Sequence, residues 1–134
     1  LIGDNVIMSN LATLGGHVKI GSWAILGGGV LIHQFTQIGD HSLIGGGFRA
    51  VQDVPPFIVA ANHPLTYKGV NIVGLKRRGF SKKDINLIKQ AYKIFFRSGA
   101  NRKEALKKIE LEFPKTKEIQ TILRFLNHSK RGII

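Results

Sequence analysis

Five histidines and no cysteine bound the side-chain chemistry open to this chain of 134 residues. Imidazole titrates near neutral pH and can serve as a general base, a proton relay or a metal ligand. Without cysteine there is no thiol nucleophile, no disulfide scaffold and no zinc ribbon. The histidines are His17, His33, His41, His63 and His128. His17 lies in the run Leu14-Gly15-Gly16-His17-Val18, and His33 in Ile32-His33-Gln34-Phe35. Each is open to a functional role or to a structural, hydrogen-bonded one. Glycine is concentrated in Gly27-Gly28-Gly29 and Gly45-Gly46-Gly47. No crossover helix follows either run, which excludes a P-loop or dinucleotide fingerprint. Such runs fit tight corners, or a groove bare of side chains in which an acyl chain lies against the backbone. Backbone N–H groups there can also stabilise an oxyanion. Lys76-Arg77-Arg78 is a tight cationic cluster, and guanidinium forks suit phosphate oxygens. It is a candidate contact for a diphosphate or an acidic partner.

These residues must be positioned by a repeat. An aliphatic residue recurs every six positions at Ile2, Met8, Leu14, Ile20, Leu26, Ile32, Ile38 and Ile44, and the next residue is Gly in six of the eight units. The fifth position of each unit is small or β-branched from Val6 to Ser42, and Phe48 departs from the rule. A strict period of six is the signature of a parallel β-helix, with three hexads per triangular coil. The aliphatic residue stacks inside the prism, glycine is expected to allow the tight corner, and the small residue avoids crowding. The expected fold is a left-handed parallel β-helix over residues 1–52 followed by a small α-helical domain. Eight hexads make only about 2.7 coils, and Leu1 falls inside a unit, so further coils are expected upstream. Assigning hexads to faces in rotation puts His17 and His33 on one face, one coil apart, and His41 on another. A catalytic zinc requires three converging ligands, so no metal is expected.

Asp53-Val54-Pro55-Pro56 is expected to end the repeat, because proline cannot donate to a ladder. Residues 53–80 read as a connecting loop with short extended segments. Residues 81–134 read as a helical domain. Ser81 caps a first helix carrying Ile85, Ile88, Ala91, Tyr92 and Phe95, and Ser98-Gly99 stops it. A second helix starts near Asn101 with Ala105, Leu106, Ile109 and Phe113 on its apolar stripe. A third covers about Thr116 to Asn127. Charge divides the same way: residues 1–49 are neutral, and the whole net +12 falls on residues 50–134. Such a surface attracts phosphates, nucleic acid, anionic membrane or an acidic protein, unless it is merely a solvated lysine-rich face. No nucleic-acid motif accompanies it, and no apolar run approaches the ~18 residues of a membrane span.

The stretches around His17 and His33, together with Gln52-Asp53-Val54-Pro55-Pro56, Gly69-Val70-Asn71-Ile72, Gly74-Leu75-Lys76-Arg77-Arg78-Gly79-Phe80 and the ending Ser129-Lys130-Arg131-Gly132-Ile133, resemble the UDP-N-acetylglucosamine O-acyltransferases of lipid A biosynthesis. The resemblance covers essentially the whole chain, and the Gly74–Phe80 motif is its most specific part. It implies transfer of a 3-hydroxyacyl chain from acyl carrier protein to the 3-hydroxyl of UDP-N-acetylglucosamine, in a cytoplasmic homotrimer without metal or cofactor. It implies Gly16 as the oxyanion amide and His17 as a substrate-positioning histidine. Asn10, His33, Gln34, Asn71, Arg77 and Arg78 become substrate contacts, and Gly46 the position that limits acyl length. A glycine there implies a long chain. The family's general-base histidine would lie just before Leu1, so the chain by itself is expected to be inactive. Val73 stands where some members carry Glu near the nucleotide. A related N-acyltransferase, an acetyltransferase and a nucleic-acid-binding module are the alternatives.

Overall fold

The computed structural model describes residues 1–134, which form two compact units: residues 1–71 with 129–134, and residues 72–128. The first is a left-handed parallel β-helix. Its rungs are two-residue strands: β1 Ile7–Met8, β2 Thr13–Leu14, β3 Lys19–Ile20, β4 Ile25–Leu26, β5 Leu31–Ile32, β6 Gln37–Ile38, β7 Leu43–Ile44 and β8 Arg49–Ala50. β1 to β5 each pair in parallel with the strand three hexads later, as in Met8↔Leu26, Leu14↔Ile32 and Ile20↔Ile38, so one coil is 18 residues. The three faces are β1-β4-β7, β2-β5-β8 and β3-β6, and bridges from Ile2 and Val54 extend the last. Ile20, Leu26, Ile32, Ile38 and Ile44 stack inside, with Val18, Ala24, Val30, Thr36 and Ser42 beside them, all buried. Burying such aliphatic side chains stabilises the prism by roughly 1.5–3 kcal/mol each.

Glycine plays a different part from the one expected. The repeat glycines do not supply the left-handed backbone. The corners turn through Asn5, Leu11, His17, Trp23, Phe35 and His41, all at positive φ, and only Gly29 and Gly47 among the repeat corners are glycine there. The repeat glycines are required by close approach. A Cβ on Gly27 would lie 2.4 Å from the Gly46 nitrogen, and one on Gly39 2.3 Å from the Pro56 nitrogen.

The ladder also continues past residue 52. Val54 bridges to Ile38, and its N–H donates to the Gln37 carbonyl at 2.9 Å. Pro55 and Pro56 fall after that rung, at a corner, where no ladder donor is lost. β9 Ile58–Ala61 then pairs with β7 in parallel, and β10 Thr66–Val70 returns antiparallel along β9. Residues 129–134 come back to the same prism: Ile133 bridges to Asp53, and the Asp53 N–H donates to the Gly132 carbonyl at 2.8 Å.

The second unit contains α1 Ile72–Arg77, α2 Lys82–Arg97, α3 Arg102–Glu112 and α4 Lys117–His128. α1 lies in the stretch expected to be loop. It closes on a Schellman turn, with Gly79 at φ +84° and the Phe80 N–H reaching back to the Leu75 carbonyl at 3.1 Å. Ser81 caps α2 by accepting the Asp84 N–H, and Asn101 caps α3 by accepting the Glu104 N–H. The core holds Ile85, Ile88, Tyr92 and Phe95 of α2, Ala105 and Ile109 of α3, and Ile119, Ile122 and Leu126 of α4. Leu106, Phe113 and Leu123 are only half-buried at its margin.

Candidate active site

Each coil places its reactive candidates at corners, because strands of two residues leave the four residues between them to turn. The corner after β2 holds Gly16 and His17, and the corner one coil later holds Gln34 and Phe35. Gly15 explains the local sequence: a Cβ there would lie 2.6 Å from the Gln34 nitrogen, so the residue before Gly16 cannot carry a side chain. The Gly16 carbonyl accepts the Phe35 N–H at 2.9 Å, while its own N–H makes no hydrogen bond within the chain. His17 is exposed, adopts φ +58°, and stacks in parallel on Phe35 with centroids 5.0 Å apart and 7° between the rings. Phe35 was missed by the sequence reading, and the 18-residue period that aligns it with His17 was the available signal.

The other edge of the same face is bare. The corner after β1 carries Asn10, and the corners stacked on it carry Gly28 and Gly46. The Gly29 N–H donates to the Asn10 carbonyl at 2.9 Å, and the Gly47 N–H to the Gly28 carbonyl at 2.8 Å. Both triple-glycine runs therefore meet at one corner and leave main chain without side chains. A Cβ on Gly46 would come within 3.2 Å of the Gly28 carbonyl oxygen. Between the two edges lie the outward side chains of Thr13, Leu31 and Arg49, which are ladder partners on β2-β5-β8. Leu31 is 47% exposed.

His33 lies on the same edge as His17 and is exposed, as face rotation indicated, but the two are not ladder partners. His33 takes the place of Gly15 one coil up, and its N–H donates to the Ala50 carbonyl at 2.8 Å. Above it the chain spends two residues fewer between rungs, since the rung after Ala50 is at Val54, and a side chain is tolerated. His41 belongs to another corner, stacked between Trp23 and Phe57 at 6.3 and 5.7 Å. His63 meets the edge of Phe48, with centroids 5.1 Å apart.

Asn71 is not gathered with His17. It is buried, its side-chain amide donates to the His41 carbonyl at 3.0 Å, and its N–H donates to the Phe57 carbonyl at 2.8 Å. It thus sits at the His41 corner. Arg77 and Arg78 belong to the second unit, at the C-terminal end of α1, where cations also complement the helix dipole. Burial, with the neighbouring Arg77 charge, lowers the Arg78 pKa. No group of three or more His, Asp or Glu side chains is gathered that could hold a metal ion.

Residues 53–134 match the family model described as UDP-N-acetylglucosamine O-acyltransferase, domain 2. The acyl-[acyl-carrier-protein]–UDP-N-acetylglucosamine O-acyltransferase of Thiobacillus denitrificans is 43% identical over all 134 residues, which cover 52% of its length. That of Aliivibrio salmonicida is 45% identical over the same span, covering 51%. Among solved structures, the UDP-N-acetylglucosamine acyltransferase of Bacteroides fragilis aligns over 99% of this chain and 52% of its own, at 44% identity and a TM-score of 0.97. The Acinetobacter baumannii structure aligns over 100% and 52%, at 38% identity and 0.95. The chain spans about half the length of the curated relatives it matches. A match over most of the chain to that family's own domain model, with the same fold over nearly every residue, makes this chain a member of the UDP-N-acetylglucosamine O-acyltransferase family.

Proposed function

We propose that the protein containing this chain transfers a 3-hydroxyacyl group from acyl carrier protein to the 3-hydroxyl of UDP-N-acetylglucosamine, the first step of lipid A biosynthesis. One observation carries the reading beyond family membership. A free amide and an exposed histidine, Gly16 and His17, edge the same face as a corner stripped of side chains at Gly28 and Gly46. In the reaction, the sugar oxygen attacks the thioester carbonyl, a C–O bond forms, the C–S bond breaks, and the thiol leaves with the proton. The Gly16 N–H is aimed at the developing oxyanion. His17, His33 and Gln34 orient the sugar, and Asn10 meets the acyl hydroxyl. The acyl chain lies along the glycine corner, and an open Gly46 admits a long one. No residue of this chain is assigned as the general base.

Asn71, Arg77 and Arg78 contact the nucleotide and its diphosphate. Asn71 and His17 occupy different corners of one prism, so the reading places the reaction in a cleft between neighbouring copies of a homotrimer. Outward-facing Ile7 and Leu31, 55% and 47% exposed, fit such packing. The second unit carries 15 basic and five acidic residues, which suits an acidic carrier protein. No helix is long and apolar enough to cross a membrane. The reading needs no cofactor and no nucleic acid, and it places the protein in the cytoplasm.

The test is an assay of the full-length protein with 3-hydroxyacyl carrier proteins of graded length and UDP-N-acetylglucosamine. Mass spectrometry should find an ester at the 3-hydroxyl. Acylation only of a UDP-sugar bearing a free amine would move the assignment to an N-acyltransferase, and use of acetyl-coenzyme A alone would make it an acetyltransferase.

A further inference from the structure

We propose that a cavity between α1 and α2, within the second unit, binds a phosphate monoester. The cavity measures about 500 Å³. Lys76, Lys82, Lys83 and Lys89 line it around Ile72 and Ile85, and no carboxylate does. Ile85 is buried and forms an apolar floor, while the four lysines are exposed at their heads. Four lysines and no carboxylate give the hollow a positive potential that draws an anion to it. Two of them also stand where helix electrostatics disfavours them. Lys82 and Lys83 open α2, at the end where the macrodipole is positive and carboxylates are the favoured residues. Asp84 is the only acidic residue of α2, and it does not line the cavity. A local preference broken without gain to the fold marks a functional position.

The chemistry selects the ligand class. A phosphate monoester is dianionic near neutral pH, accepts from several donors at once, and finds here both ammonium groups and the N-terminus of a 16-residue helix. The isoleucines give the ester carbon an apolar surface. The site uses none of the residues named above as sugar, acyl or nucleotide contacts, and phosphate binding is measured without acyl transfer, so the two readings are tested separately.

Inorganic phosphate titrated calorimetrically into the full-length protein, at ionic strength fixed with chloride, is the direct test. Saturable binding is expected, and the Lys82→Gln/Lys89→Gln pair should weaken it at least about tenfold, as loss of two charge-assisted contacts requires. Lys107→Gln/Lys108→Gln on α3 removes the same charge elsewhere and should leave it unchanged. Equal weakening by both pairs, or no binding beyond that of chloride, would overturn the site. Glycerol 3-phosphate, and phosphatidylcholine vesicles with and without phosphatidic acid, separate the sources. Binding of the first without retention on vesicles assigns a soluble ester. Vesicle retention that needs phosphatidic acid and is lost in Lys82→Gln/Lys89→Gln assigns a lipid headgroup. Failure of both ester forms alongside phosphate binding would refute the ester assignment.

Discussion

Ser129 donates its hydroxyl to the Asp53 carboxylate at 2.5 Å across 76 residues of sequence. The other oxygen of Asp53 accepts the Gln37 N–H at 2.8 Å, and Asp53 itself is 1% exposed. One buried carboxylate therefore joins the last part of the ladder to the returning tail. Two of the stretches that identified the family, Gln52–Pro56 and Ser129–Ile133, are halves of this single contact.

Asp53→Ala should therefore destabilise the first unit by about 2–4 kcal/mol, because the Gln37 N–H and the Ser129 hydroxyl lose their acceptor at a buried site. Asp53→Asn keeps one carbonyl oxygen and should cost less than Ala. Urea unfolding of the three proteins checks the order, and an Asn variant as unstable as Ala would contradict it.

Thr36 offers the opposite case. Its hydroxyl lies inside the prism with no hydrogen-bond partner, and the residue is fully buried. Thr36→Val replaces that oxygen with a methyl of nearly the same size. The expected gain is about 1 kcal/mol, the cost of a buried unpaired hydroxyl. The urea midpoint should rise with the slope unchanged.

Two glycines of the same corner separate the two reasons for choosing glycine. Gly27→Ala puts a Cβ 2.4 Å from the Gly46 nitrogen, and backbone must move. Gly47→Ala meets nothing within 4 Å but must hold φ +80°. The first should cost about 3 kcal/mol or more, from overpacking against main chain. The second should cost about 1–2 kcal/mol, from the left-handed conformation alone. Thermal unfolding of the pair measures the difference.

This contrast also shows what the sequence could and could not tell. A period of six defines the prism, its 18-residue coil and the stacking of Ile20 on Ile38, since only side-chain repetition is needed to see them. It does not say why Gly follows the aliphatic residue in six of the eight units, because close approach between coils is a three-dimensional fact. Positive φ at His17, Trp23 and Phe35 is likewise invisible, as those residues carry no composition signal for it. The ladder step at Val54 was hidden by Pro55 and Pro56, which look like a stop until the shortened coil places them at a corner. α1 was missed because its six residues include Gly74 and are too few for periodicity to register. The longer helices were legible from their caps at Ser81 and Asn101. Of the candidate site, the shared edge of His17 and His33 could be read from face rotation. The stacking of His17 on Phe35 and the bonding of Asn71 to His41 could not.

His17 and His41 provide a last test, because both are corner histidines stacked on aromatic rings and only His17 stands beside the Gly16 amide, where the acyl group is transferred in the proposed reaction. His17 is exposed beside the Gly16 amide. His41 is half-buried between Trp23 and Phe57, and its carbonyl holds Asn71. In the full-length protein, His17→Ala should lower kcat/KM for acyl transfer by about 10²-fold, the cost of a misplaced substrate, while its exposed stack on Phe35 limits the loss of stability to under about 1 kcal/mol. His41→Ala should behave the other way, losing about 1–2 kcal/mol of stability from the broken ring stack while kcat stays within a few-fold. Transfer kinetics and urea unfolding on the same preparations decide the matter. A His17 variant that turns over normally would remove this histidine from the reaction and leave the Gly16 amide as the only group of that corner with a chemical role.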